Sequence, residues 1–136
     1  MTAEVEIRID GRSLTLEEVR RVAREPGLRV VLAPGATEAV ERARRVVERA
    51  VAEGESVYGV TTGFGRLAEV VISPDQQGEL QANLVRSHAS GVGEPLPEEI
   101  VRAVLLLRAN ALARGASGCR LEVVKSLLEL LNRGIH

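Results

Sequence analysis

Val57-Tyr58-Gly59-Val60-Thr61-Thr62-Gly63-Phe64-Gly65 holds the only tyrosine and the only phenylalanine of a 136-residue chain, set among three glycines. Glycine tolerates positive φ and close backbone approach, so such a run builds a loop able to press its main chain against a ligand. A phenol on that loop offers one group for acid/base work or hydrogen bonding. The same pattern also describes a tight turn whose two aromatic rings plug a core gap, because glycine-rich turns are mostly structural. Neither G-x-G-x-x-G nor G-K-[ST] is present, which removes the dinucleotide-fingerprint and P-loop readings.

Around this loop the chain reads as mainly α, with two short strands near its start. Val5–Asp10 alternates apolar and charged residues before an Asp10-Gly11 turn, which predicts a strand. Thr15 and Glu18 form a capping-box pair for a short helix that Pro26-Gly27 stops near Glu25. Arg29–Ala33 is a second strand, broken by Pro34-Gly35, and the two strands suit a small paired ribbon. From Thr37 the period becomes helical: Val40, Ala43, Val47, Ala50 and Val51 form an apolar stripe, and Gly54 ends it.

Ser73-Pro74-Asp75-Gln76 opens a third helix with an N-cap serine, a first-position proline and a capping-box glutamine. It runs to about Ser90, with Gly91 as its stop. Glu98–Arg114 is a fourth helix, apolar enough through Val104–Leu107 and Ala109–Ala113 to call for a buried setting. Cys119–Arg133 is a fifth, with Ser117 as a possible cap, Leu121, Val124, Leu128 and Leu131 on one face, and Val123, Leu127 and Leu130 widening it. Gly134 ends that helix. The apolar arcs of these last two helices are wider than a five-helix domain needs, which points to neighbours beyond one chain.

Hydrophobic residues make up 45% and charged residues 27% of the sequence, as in a globular domain. The formal net charge of −1 leaves no electrostatic footprint for nucleic acid or an anionic membrane. Cys119 is the only cysteine, so no intrachain disulfide can form, and with two distant histidines it makes no recognisable metal site. Apolar runs are too short for a membrane span, and no secretion signal is recognisable, so a soluble cytoplasmic protein is the default.

Three segments in order raise the glycine loop above an ordinary turn: VYGVTTGFG (57–65), LQANLVRSHASGVGEPLP (80–97) and LLLRANALARGASGCR (105–120). Together they resemble the N-terminal part of the histidine ammonia-lyases, within the aromatic amino-acid ammonia-lyase family. The resemblance runs from about Val5 to the last residue. It implies a single N-terminal region: residues 1–54 with strands and helices, 55–72 as an active-site loop, and 73–136 as bundle helices. It also implies a helical fold, a homotetramer, and non-oxidative elimination of ammonia from L-histidine to give trans-urocanate.

Tyr58 matches the family's loop tyrosine, which lies beside the substrate and is implicated in removing its β-proton. A phenol with the usual pKa of about 10 is a poor base at neutral pH, so that role needs a nearby electrophile or positive charge. Gly63, Phe64 and Gly65 would bring backbone and ring against the substrate. Thr61 stands where some relatives have Asn. His88 shares a helix stripe with Leu80 and Leu84, and by itself reads as a hydrogen-bonded core histidine near a helix end. By resemblance, Ser87-His88 is the histidine-specific form of a substrate-reading pair; tyrosine- and phenylalanine-specific relatives typically carry His-Leu and Phe-Leu there. An imidazole reader suits an imidazole substrate, since each neutral ring offers one donor and one acceptor.

The family's electrophile, a methylidene-imidazolone ring, forms by cyclisation of an internal Ala-Ser-Gly in a G-x-V-G-A-S-G-D-L context. Ala116-Ser117-Gly118 sits instead in RGASGCR (114–120), which matches the family's R-G-x-S-G-x-R turn, and Cys119 occupies the place of the required Asp. These three residues therefore read as a decoy. The resemblance places the electrophile-forming segment just after His136, so this chain is expected to be a fragment without cofactor, metal or turnover of its own. The alternatives are a fragment of a phenylalanine or tyrosine ammonia-lyase or aminomutase, and a non-catalytic helical oligomerisation or binding module.

Overall fold

The alternation Glu6-Ile7-Arg8-Ile9 puts Ile7 and Ile9 on the buried side of β1 (Glu6–Ile9). The computed structural model describes residues 6–65 and 72–135. Val5, residues 66–71 of the glycine loop and His136 lie outside the described residues. The elements follow the order β1, α1 (Leu16–Arg24), β2 (Arg29–Leu32), α2 (Pro34–Ala52), α3 (Pro74–His88), α4 (Glu98–Ala113) and α5 (Leu121–Arg133). Five helices and two short strands among the described residues make the fold mainly α, as the sequence pattern predicts.

The two strands pair in parallel, with Ile7 opposite Val30 and Ile9 opposite Leu32. Parallel strands need a crossover rather than a hairpin, and α1 supplies it. Its start is the expected capping box: Thr15 Oγ1 accepts from the Glu18 backbone N–H at 3.2 Å, and Glu18 Oε2 accepts from the Thr15 N–H at 2.8 Å. That N–H bond, with the Thr15 hydroxyl behind it, holds the Glu18 carboxyl below its ordinary pKa.

The residues pack as two units, Met1–Arg45 with Pro95–His136, and Val46–Glu94; α2 runs across the boundary in sequence. In the first unit Ile9, Val22, Val30, Val40, Leu106, Val124 and Leu131 form the core. Gly11 and Gly115 hold positive φ, and a Cβ at either would meet main-chain atoms at 2.5 Å, of Arg114 and Ala39 respectively. Those turns close only because no side chain is present.

Several boundaries differ from the sequence reading. α2 starts at Pro34, not Thr37, because a proline at the first helical position has its φ already set and no N–H to lose. Ser73 is the N-cap of α3 but makes no bond to the helix backbone; its hydroxyl donates to Gln76 Oε1 at 2.9 Å, so the expected capping box does not form. α3 ends at His88 with Ala89 as C-cap, leaving Gly91 outside the stop. Ser117 caps nothing: α5 begins at Leu121 with Arg120 as N-cap, and Gly118, at φ +65°, still belongs to the turn. Val104 and Leu107 of α4 are about half exposed while Leu106 is fully buried, so only part of that apolar run is core.

Polar side chains from α4 and α5 tie the first unit together. Arg102 is 3% exposed; its Nε donates to Val22 O at 2.9 Å and its Nη1 to Leu131 O at 3.3 Å. Both carbonyls lie in the last turns of their helices, where the dipole favours a cation, and Leu131 O also accepts from the Gly134 N–H at 3.2 Å. Asn132 accepts from the Val30 N–H at 2.9 Å and donates to Val30 O at 2.8 Å, acting as a third strand beside β2. Asn110 Oδ1 accepts from the Gly11 N–H at 2.9 Å. Replacing Arg102 with Met keeps the stem and removes the donors. Urea unfolding should show a loss of about 2–3 kcal/mol, the scale of bonds from a charged group, with Val22 O then left unmet and Leu131 O keeping its 3.2 Å bond from the Gly134 N–H. An unchanged midpoint and slope would show that water already satisfies these carbonyls.

Candidate functional site

The glycine loop begins where α2 runs out. The Glu55 N–H donates to Ala50 O at 2.9 Å, past Gly54 at φ +68°, and the chain then folds into one tight turn. The Val60 and Thr61 N–H groups both donate to Val57 O at 3.0 Å. Thr61 Oγ1 accepts from the Val57 N–H at 2.8 Å and donates to Glu55 O. Thr62 Oγ1 accepts from the Gly59 N–H at 3.4 Å and donates to Gly63 O at 3.2 Å. Thr61, Thr62 and Gly63 are buried, so the loop stands on a polar interior of its own.

Tyr58 projects from this base and is 65% exposed. Its ring meets Phe64 edge to face, with centroids 6.0 Å apart and planes at 75°, an arrangement in which a positive ring edge faces a negative ring face. Gly59, at φ +71°, allows it: a Cβ there would lie 2.9 Å from Phe64 Cε1. Gly65 also holds positive φ, with open space where a side chain would stand. The loop is therefore not a core plug, since the phenol faces outward and only the phenylalanine is partly covered.

His88 is the last residue of α3, and it is exposed rather than core. Its Nδ1 lies 2.9 Å from Leu84 O and 3.0 Å from Ser87 Oγ, while Ser87 Oγ donates to Leu84 O at 2.9 Å. A carbonyl only accepts, so the bond to Leu84 places the proton on Nδ1. In the neutral ring Nε2 is then left as an acceptor.

The structure thus brings Tyr58 against Phe64 through Gly59, and Ser87 against His88. Among the described residues no hydrogen bond or ring contact joins the two groups. Ala116, Ser117 and Gly118 belong to the other packing unit, in the turn between α4 and α5, with Ala116 and Ser117 exposed. Hollows of about 530 Å³ along α5 and about 490 Å³ beside β2 are lined by none of these residues. No cluster of three or more metal-ligating side chains occurs among the described residues, and no described helix is long and apolar enough to cross a membrane.

The buried hydrogen-bonding roles of Thr61, Thr62 and Arg102 were not anticipated from the sequence. Adjacent threonines beside glycines are a recognised source of side-chain-to-backbone bonds. Arg102 lies on the stripe of Leu106, Ala109 and Ala113, a spacing that would have flagged a buried cation.

A model of the family described as aromatic amino acid lyase matches residues 14–136. The histidine ammonia-lyase of Streptococcus pyogenes serotype M49 (strain NZ131) is 52% identical over 130 residues, 96% of this chain and 25% of that protein. The crystal structure of histidine ammonia-lyase from Trypanosoma cruzi aligns with a TM-score of 0.83 at 39% identity, covering 93% of this chain and 24% of that one. Tyrosine aminomutase from Streptomyces globisporus aligns with a TM-score of 0.89 at 37% identity, covering 96% and 24%. The chain spans about a quarter of the length of the curated relatives it matches.

Gly59→Ala should break the aromatic pair. A left-handed alanine costs roughly 1–2 kcal/mol, and the new methyl must displace Phe64. With no tryptophan in the chain, near-ultraviolet circular dichroism reports these two rings, and its signal should collapse while the far-ultraviolet helical signal persists. Retention of the near-ultraviolet signal would show that the loop reaches the same ring geometry without glycine.

Proposed function

The chain belongs to the aromatic amino acid lyase family, and on that footing we propose that it is the N-terminal part of a histidine ammonia-lyase. The longer protein eliminates ammonia from L-histidine without oxidation and releases trans-urocanate, as a cytoplasmic homotetramer in histidine degradation. The 52% identity to a histidine ammonia-lyase across almost the whole chain is the observation that carries this reading. Residues 1–136 act as one region of that protein, with 55–72 as its active-site loop.

The family is of the methylidene-imidazolone type, and the chemistry of this chain's groups fits beside such a ring. It supplies an electrophile for the reaction, built from an Ala-Ser-Gly outside this chain. Ala116, Ser117 and Gly118 are a decoy. The exposed Tyr58 hydroxyl takes the β-proton, and Phe64 holds its ring from the side. Gly63 and Gly65 let the main chain approach the substrate. His88, protonated on Nδ1 by its bond to Leu84 O, presents Nε2 to the N–H of the substrate imidazole, with Ser87 steadying the ring. The partner is a small amino acid, and no metal takes part.

A second reading, an aminomutase acting on tyrosine, draws support from the fold likeness to the Streptomyces globisporus enzyme. The Ser87-His88 pair favours the imidazole substrate instead, because an apolar pair there would leave that ring's donor and acceptor unmet.

Residues 1–136 alone should not convert L-histidine, followed as urocanate by its near-ultraviolet absorbance. Sustained turnover abolished by Ser117→Ala would make Ser117 the source of the electrophile. In the longer protein, Tyr58→Phe should lower kcat at least about a hundredfold, as loss of a proton-transfer group does. His88→Leu should lower kcat/KM for histidine at least about tenfold and shift preference toward aromatic substrates, because it removes a polar partner of the substrate ring. Normal turnover in Tyr58→Phe, with His88→Leu altering only the melting temperature, would make both residues structural.

A further inference from the structure

We propose that Thr61 is the positioning residue that fixes Tyr58 for proton transfer, a role that rests on the reading of Tyr58 as the acid/base group. Every polar group of Thr61 is engaged. Its N–H donates to Val57 O at 3.0 Å, and its Oγ1 accepts from the Val57 N–H at 2.8 Å. The same hydroxyl donates to Glu55 O, and its carbonyl accepts from the Ile72 N–H at 3.0 Å. Val57, the residue that carries Tyr58 into the loop, thus has both its N–H and its C=O bound to Thr61. On the far side of Tyr58, the Gly59 N–H reaches Thr62 Oγ1 at 3.4 Å.

Burial makes these bonds consequential. Thr61 is 3% exposed, so water does not readily replace its hydroxyl, and a lost partner leaves the Val57 N–H and Glu55 O unmet. Tyr58 itself is mostly exposed, and its ring meets the Phe64 ring edge to face. Its direction is therefore set from below, through the backbone, rather than by packing around the phenol. A hydroxyl that must meet one substrate proton gains from such a base, since a misplacement of about 1 Å can cost about a hundredfold in rate.

Thr61→Val tests this directly, because it keeps the shape and exchanges the hydroxyl for a methyl; Thr61→Ser keeps the hydroxyl. Tyr58 is the only tyrosine and the chain has no tryptophan, so tyrosine fluorescence anisotropy of residues 1–136 reports this ring alone. Thr61→Val should lower the anisotropy while helical circular dichroism persists, and Thr61→Ser should restore it. In the longer protein Thr61→Val should lower kcat at least about tenfold with KM changed less than about twofold, with Ser recovering most of the loss. Unchanged anisotropy in the Val variant overturns the proposal. Lowered anisotropy with normal kcat upholds the grip of Thr61 on Tyr58 but overturns the acid/base role beneath it. If Thr61→Val loses its helical signal, Thr61→Ser against Thr61→Ala makes the same comparison, since both shed the methyl and only one keeps the hydroxyl.

Discussion

The last turns of α1 and α5 present carbonyls to the interior, Val22 O and Leu131 O, the latter already accepting from the Gly134 N–H at 3.2 Å, and a single guanidinium from α4 reaches both. Arg102 spans Val22 O and Leu131 O from inside the unit, where water is excluded and the bonds are strong. The planar guanidinium meets the two acceptors with different nitrogens, Nε and Nη1, a spread that the single ammonium nitrogen of a lysine lacks. The contact fixes where α1 and α5 end relative to α4, and β1 and β2 are seated on that frame. The two asparagines extend the logic: Asn132 closes the open edge of β2, and Asn110 holds the turn after β1. A two-stranded parallel sheet has too few ladder bonds to stand by itself, so side chains from the helices complete it.

The unit that carries the candidate chemistry is built differently. Among the described residues of the loop, Thr61 and Thr62 are the buried side chains, and they bind main chain. Glycine gives the loop a backbone path that other residues would resist, and threonine holds it there. Freedom at Gly59 and constraint at Thr61 are complementary, since a loop with glycine alone would sample many shapes and lose entropy on binding. The outcome is an outward phenol on a fixed base.

At the end of α3 the helix does similar work for an imidazole. The Leu84 carbonyl lies one turn before the end of α3, and both the Ser87 hydroxyl and His88 Nδ1 come within hydrogen-bond distance of it. The His88 bond settles which ring nitrogen carries the proton. A residue set at a helix terminus is thereby turned into a directed acceptor, with Ser87 alongside.

Much of this was readable from residues alone. The Thr15–Glu18 capping box, the α2 stripe through Val40 and Ala50, the glycine loop around Tyr58 and the left-handed stop at Gly134 all follow local rules of period, cap and φ. The family motifs likewise rest on identity and order along the chain. Tertiary structure decided what depends on distant partners. That β1 and β2 run parallel, that Arg102 is buried, that Asn132 imitates a strand and that Val104 stays half exposed are set by residues tens of positions away. Ser73 and Ser117 have the composition of helix caps, yet neither bonds a helix backbone: Ser73 has extended N-cap geometry but its hydroxyl goes to the Gln76 side chain, and Ser117 lies three residues before the Arg120 cap of α5. Residue type declares which bonds a side chain is able to make; only the packed chain brings one partner within reach and excludes the rest.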